Sequence, residues 1–230
     1  MKKIIGLLTI MTLGILSLQA QETTRTSGKT SFGIRGGVNF QNINGKDMNN
    51  NKLDNDILSA FHAGITVDIP IATDFYFQTA LLYSMKGAKS KNAFLGQPIN
   101  SEVNISYIEI PLNLLYKPML GNGHMLLGFG PYAALGVNGK VKYSGGNSSV
   151  DRDIKFQNKV SLTDANNVAY IRPVDAGANL LIGYEFASKF SFQLNAQLGL
   201  LNINPEYQVA VNDKTAARNT GFGLSVGYKF

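Results

Sequence analysis

Three groupings in the sequence have residue types and spacings that could do chemistry. Gly223-Leu-Ser-Val-Gly227 satisfies G-x-S-x-G, the pattern that presents a serine nucleophile. That pattern acts from a sharp strand-to-helix turn; here the rhythm of a strand runs on to Phe230, so small residues on one strand face account for it better. Asp47, Asn49 and Asn51 open like a calcium loop, but Lys52 stands where glycine is required and Leu58 where a bidentate glutamate closes the site. A solvated loop explains them. His62 and His124 are the only histidines, one on a strand face and one in a turn, and neither offers the His–Ser pair that acyl-transfer chemistry needs. The absence of Cys removes disulfides, thiolate metal sites, a cysteine nucleophile and a lipid-anchor cysteine. The sequence thus predicts no enzyme, no cofactor and no metal.

The elements that must position any site are strands. Charged residues make up 16% of the 230, against roughly 25% for a soluble surface, and 24 glycines are spread along the chain. After Thr30 strict apolar–polar alternation recurs, the mark of strands with one dry face. It marks Ser31–Phe40, Ala60–Ile69, Phe75–Lys86, Asn104–Tyr116, Met125–Asn138, Val174–Phe186, Phe190–Leu200 and Asn219–Phe230. Short connections (Pro70–Asp74, Lys117–His124, Ala187–Lys189) alternate with long ones (Gln41–Ser59, Gly87–Val103, Gly139–Pro173, Leu201–Arg218). Short periplasmic turns and long outer loops are the pattern of an all-β, eight-stranded, antiparallel up-and-down transmembrane β-barrel over residues 31–230. Alternation around Lys140–Tyr143 predicts that the third loop continues its strands above the membrane.

A soluble calyx such as a lipocalin would show the same alternation with its apolar face inward. The polar face here is Gly, Asn, Gln and Ser with few charges, which suits the inside of a narrow cylinder and makes a poor water-exposed exterior. Aromatic residues near the strand ends suit two interfacial girdles. The inward parity then collects Arg35, Asp68, Gln78, Glu109, Asn113, Asp175, Asn179, Glu185, Gln193, Asn195, Gln197 and Lys229. Charges in so narrow a bore must pair, and Arg35 is expected to be neutralised by Glu109, Asp175 or both, plugging the lumen. Lys86, Lys89 and Lys91 give the second loop a basic cluster, and Lys140, Lys142, Arg152, Lys155 and Lys159 give the third another. Such clusters could contact outer-membrane lipid, lipopolysaccharide in particular.

Residues 1–20 read as a signal peptide: Lys2 and Lys3, then an apolar run from Ile4 to Leu18, then Ala20 before Gln21. Residues 21–30 read as a flexible lead-in. Loss of Lys2 and Lys3 with no acid takes the net charge from +6 to +4, too little to argue for nucleic acid as a partner.

Several stretches carry a family resemblance: Phe32-Gly-Ile-Arg-Gly-Gly-Val-Asn-Phe40, Phe61-His-Ala-Gly64, Leu82-Tyr-Ser-Met-Lys-Gly87, Tyr107-Ile-Glu-Ile-Pro111 and Gly227-Tyr-Lys-Phe230. Together they resemble the porin-family, PorT-like outer-membrane barrels of the Bacteroidota over nearly all of the mature chain. The resemblance implies an outer-membrane location, export through the inner membrane, and a terminal aromatic signal, Tyr228 and Phe230, read by the barrel-assembly machinery. It also leaves open an accessory place in a secretion or uptake complex. Ala80 departs from it, standing where relatives carry an inward acidic residue. The resulting expectation is a small barrel with a structural, binding or narrow-transport role exercised through its outer loops. The alternatives are a soluble lipocalin-like carrier of an apolar ligand and a lipid-modifying barrel enzyme.

Overall fold

The computed structural model describes residues 28–230 except 48–49, 95–96, 146–147, 162, 165–166 and 209–214, and leaves out the side chains of 92–99. The expected signal peptide and most of the lead-in lie outside the described residues. Eight long strands follow in chain order: β1 Ser31–Lys46, β2 Leu58–Ala72, β3 Phe75–Phe94, β4 Gln97–Tyr116, β5 Gly123–Gly145, β6 Val174–Glu185, β7 Phe190–Gly199 and β8 Ala216–Lys229. Each pairs antiparallel with its neighbour in sequence, and β8 returns to β1 with Ile34 opposite Tyr228 and Phe40 opposite Phe222. Closure leaves no unpaired backbone edge facing lipid, which could not satisfy one.

Side chains alternate as the period-two reading requires. Phe32, Ile65, Phe129, Leu180, Phe192 and Leu224 face outward and are exposed, Leu180 by 63%, while Asp68, Gln78, Glu109, Asn113 and Asp175 are buried inside. A calyx needs the opposite arrangement, so the soluble-carrier alternative fails on orientation. Aromatic pairs mark both rims of the apolar band. Phe75–Tyr116 (4.8 Å), Phe190–Tyr228 (4.9 Å) and Tyr184–Phe186 (4.9 Å) ring the short-turn end, and Phe40–Phe222 (5.2 Å) and Phe61–Tyr83 (5.9 Å) the other. Each tight turn uses one left-handed residue: Asp74 at φ 60°, Gly121 at 63° and Lys189 at 68°.

The wall is uneven in height. β6 and β7 have 12 and 10 residues, about what a bilayer crossing needs, whereas β3 and β4 have 20 and β5 has 23. The surplus carries β3–β5 roughly 30 Å further along the strands, at about 3.3 Å per residue. Within the expected loop Gly87–Val103, residues 87–94 and 97–103 therefore form the upper part of one hairpin, paired from Gly87–Asn104 to Phe94–Gln97. Among its described side chains only Ala88 and Val103 pack against buried apolar residues, while Lys89, Ser90, Lys91, Ser101 and Glu102 are polar, too sparse an apolar set for hydrophobic period to show it. Ser148–Phe156 pairs with the top of β5, as the alternation around Lys140 predicts, and Ala169–Ile171 then runs parallel to Ile154–Phe156. A bulge at Val137 shifts the register between Ser106–Asn138 and Tyr107–Gly136.

Candidate functional site

Inward positions of the lower bore sit near the short turns. Lys229 Nζ lies 2.8 Å from Asp68 Oδ1 and donates to Thr66 Oγ1. Lys117 Nζ reaches Glu185 at 3.0 Å and Asp68 Oδ2 at 3.5 Å, and Gln78 Nε2 donates to Asp68 Oδ1. Lys117 also stands 5.0 Å from the Tyr76 ring centre. Leu115, Leu126 and Leu181 meet inside the wall, with Tyr76 packed against them, and form an apolar floor.

The upper bore centres on Lys86, which has no solvent exposure. Its ammonium lies 2.8 Å from Glu109 and 3.2 Å from Asp175, over the Tyr132 ring at 4.0 Å and beside that of Tyr107 at 5.6 Å. Asp175 also accepts from Asn219 Nδ2 (3.0 Å) and the Tyr132 hydroxyl, and Glu109 accepts from Gln197 Nε2 (2.6 Å). Above this network lies an apolar roof. Ile43, Ile105, Tyr107, Val141 and Ile154 join Ile203, which arrives from the connection between β7 and β8.

Two expectations are corrected here. Lys86 does not belong to an outer basic cluster: β3 continues past it, and its even-numbered positions (Gln78, Ala80, Leu82, Ser84, Lys86) all point inward and are buried. Nor does Arg35 pair with Glu109 or Asp175, because Lys86 already holds both. Arg35 Nη1 donates instead to Gln193 Oε1 at 3.0 Å. Its charge still counts. Among the described residues Arg35, Lys86, Lys117 and Lys229 face Asp68, Glu109, Asp175 and Glu185, four cations and four anions, so these bore charges sum to zero. Lys117 is not among the inward residues expected from sequence, because the short connection Lys117–His124 begins with it. Its parity with Asn113 and Leu115 was the available signal.

Between floor and roof, His62 and Ser225 meet although 163 positions apart. His62 Nδ1 donates to Asn39 Oδ1 at 2.8 Å, which leaves Nε2 to accept from the Ser225 hydroxyl at 2.9 Å, while Asn195 Nδ2 donates to Ser225 Oγ. The order of groups is that of a Ser–His–Asn relay. All three residues are buried, and the cavity beside them, lined by Arg35, Asn39, His62 and Asn195, has about 30 Å³, room for one or two water molecules. Gly37 makes the space: a Cβ there would meet the backbone oxygen of Leu224 and the His62 ring.

The outer cations are mostly matched. Lys91 lies 3.0 Å from Asp56 and Lys89 lies 3.7 Å from Glu102. Glu102 stands opposite both Lys89 and Lys142, Lys142 opposite Asp151, and Lys140 opposite Asp153. Lys159 and Arg172 share Glu206. Phe156 seats Ser148–Phe156 against the wall, with its ring where a Cβ of Gly136 would be. At the other end, Phe230 N donates to Phe32 O and its side chain is exposed beside Tyr228.

A closed ring of eight strands with an apolar, aromatic-rimmed outside and an ion-paired inside is a transmembrane β-barrel of the outer-membrane type. The model of the family described as "Outer membrane protein beta-barrel domain" matches residues 19–204, and the chain belongs to that family. No curated protein matches it. Among solved structures it is similar to Ail, the attachment invasion locus protein of Yersinia pestis, in complex with the heparin analogue sucrose octasulfate. That likeness is 11% in identity, covers 88% of this chain and 100% of the other, and has a TM-score of 0.42. Neisserial surface protein A is similar at the same identity, coverage and score.

Proposed function

We propose that this outer-membrane barrel is closed to solutes and works from its extracellular face, as a binding or structural element of the PorT-like group its motifs resemble. One observation carries the reading: the bore is filled by two apolar clusters and by charges that are all ion-paired except Arg35, which is held by Gln193. Eight strands already leave an interior only wide enough for side chains. Planar-bilayer recording on refolded protein tests it. The expected record is flat; discrete, reproducible conductance steps would overturn the closed bore.

The same reading takes residues 1–20 as a cleaved export signal and the exposed Phe230 ring as the mark the assembly machinery recognises. Phe230→Ala should then lower the amount inserted in cells while leaving refolding in detergent unchanged; equal cellular levels would count against it. Lipopolysaccharide is a proposed contact for the exposed Lys140, Lys142 and Lys155. Their replacement by Gln should strip it from purified barrel, and unchanged retention would remove this contact. No turnover is assigned to Ser225 and His62, whose neighbouring cavity is far too small for a lipid.

A further inference from the structure

Above the membrane the wall opens into a sheet of β3, β4, β5 and Ser148–Phe156. Its last strand is covered on the far side only at Ile154–Phe156, by Ala169–Ile171. From Ser148 to Asp153 the outer edge carries no backbone partner among the described residues, and all six are exposed. Alternate N–H and C=O groups along such an edge are a template for another strand.

The side chains specify what kind of strand. On the outward face one row runs Lys89, Glu102, Lys142, Asp151, alternating in sign across four strands. The row below it ends Lys140, Asp153. Both rows stop on an acid at the free edge. A residue within a sheet meets cross-strand neighbours on both sides of the same face, so the vacant side of Asp151 and Asp153 suits cations two positions apart. The inner face, with Val150 56% exposed and Arg152 beside the Tyr143 ring, suits an apolar or acidic residue between them. The strand's occupied edge shows that pattern in place: Lys140, Val141 and Lys142 stand opposite Asp153, Arg152 and Asp151.

We propose that Ser148–Asp153 is a docking edge that takes an extended protein segment as an added strand, with basic residues at alternate positions. The inference deepens the reading that the outer face is the working face, and names the partner's chemistry.

The test uses the full barrel in lipid nanodiscs and a synthetic peptide, Asn-Gly-Lys-Val-Lys-Tyr-Ser, copying residues 138–144. A second peptide carries Glu in place of both Lys. The first should bind about tenfold more tightly at low salt, since two cross-strand ion pairs of modest strength are exchanged for repulsions. It should also slow amide exchange within Ser148–Asp153. Asp151→Asn with Asp153→Asn should abolish the preference while heat-modifiable gel mobility shows the barrel intact. Equal binding of both peptides, binding without slowed exchange, or no binding at millimolar peptide would each overturn the docking edge. Conductance in bilayers would overturn the closed bore and leave this measurement standing, so the two failures are distinguishable.

Discussion

Replacing Lys86 by Met keeps the side chain's length and removes its charge. Glu109 and Asp175 then lose the cation between them, at 2.8 and 3.2 Å, in a site where all three are buried. Breaking a buried pair by removing one partner costs about 3–5 kcal/mol, because the charge left behind is uncompensated. Two carboxylates are stranded here, but Gln197, Asn219 and Tyr132 still donate to them, which keeps the expected cost within that range. At 1.4 kcal/mol per decade, the folded-to-unfolded ratio should fall by about a hundredfold or more. Lys86→Met/Glu109→Gln/Asp175→Asn removes all three charges and should recover most of the loss, since neutral hydrogen-bonding groups replace a charged cluster. Lys89→Met, three residues on but exposed and loosely paired with Glu102, should cost less than about 1 kcal/mol. The chain has no Trp, so urea unfolding in lipid vesicles is followed by circular dichroism and by heat-shifted gel mobility. If Lys86→Met proves as mild as Lys89→Met, or the triple variant is worse than the single, the account of the upper bore is wrong.

Gly136→Val should dislodge Phe156, whose ring occupies the space of the new side chain, and speed protease cleavage within Ser148–Phe156 while the barrel survives. Ser225→Ala leaves His62 Nε2 and Asn195 Nδ2 without their shared partner and should destabilise by about 1–3 kcal/mol in urea unfolding. Asp164, in the third outer connection, accepts from the Ser161 backbone N–H, which holds its carboxyl below the usual range. A folded-state value below the unfolded one means the turn's contribution is full above the unfolded value and is lost as pH falls through the folded one. The Ser161 amide resonance should titrate there, and Asp164→Asn should flatten the curve.

Strand number, order and outward orientation were legible because each membrane-crossing segment buries one face against lipid and one against a packed bore. That leaves strict alternation from Phe32 through Phe230. The extended tops of β3 and β4 were not legible, because only Ala88 and Val103 pack inward there and Lys89, Ser90 and Lys91 carry no apolar period. Arg35, Asp68, Glu109, Asp175, Glu185 and Lys229 were placed on the inward face by parity alone. Their pairing was not, since partners across a bore lie far apart in sequence and are set by strand stagger. Lys86 shows the cost of reading a strand end as a loop: the same parity that places Ser84 inside also places Lys86 there. The Ser225–His62 contact joins β8 to β2 across the closure, where no local pattern could announce it.

The neutral bore has a consequence for how the cylinder zips shut. Most of its ion pairs span strands that are not neighbours: Asp68 on β2 with Lys229 on β8, and Lys86 on β3 with Asp175 on β6. A slip of β8 by two residues against β1 would keep every greasy side chain facing lipid and preserve the backbone ladder. It would also carry Lys229 about 7 Å along the strand, away from Asp68, leaving Lys229 without its anion and Asp68 with only the longer 3.5 Å ion contact to Lys117. The lumen thus works as a combination lock read at the moment of closure, penalising registers that the lipid-facing surface alone would accept.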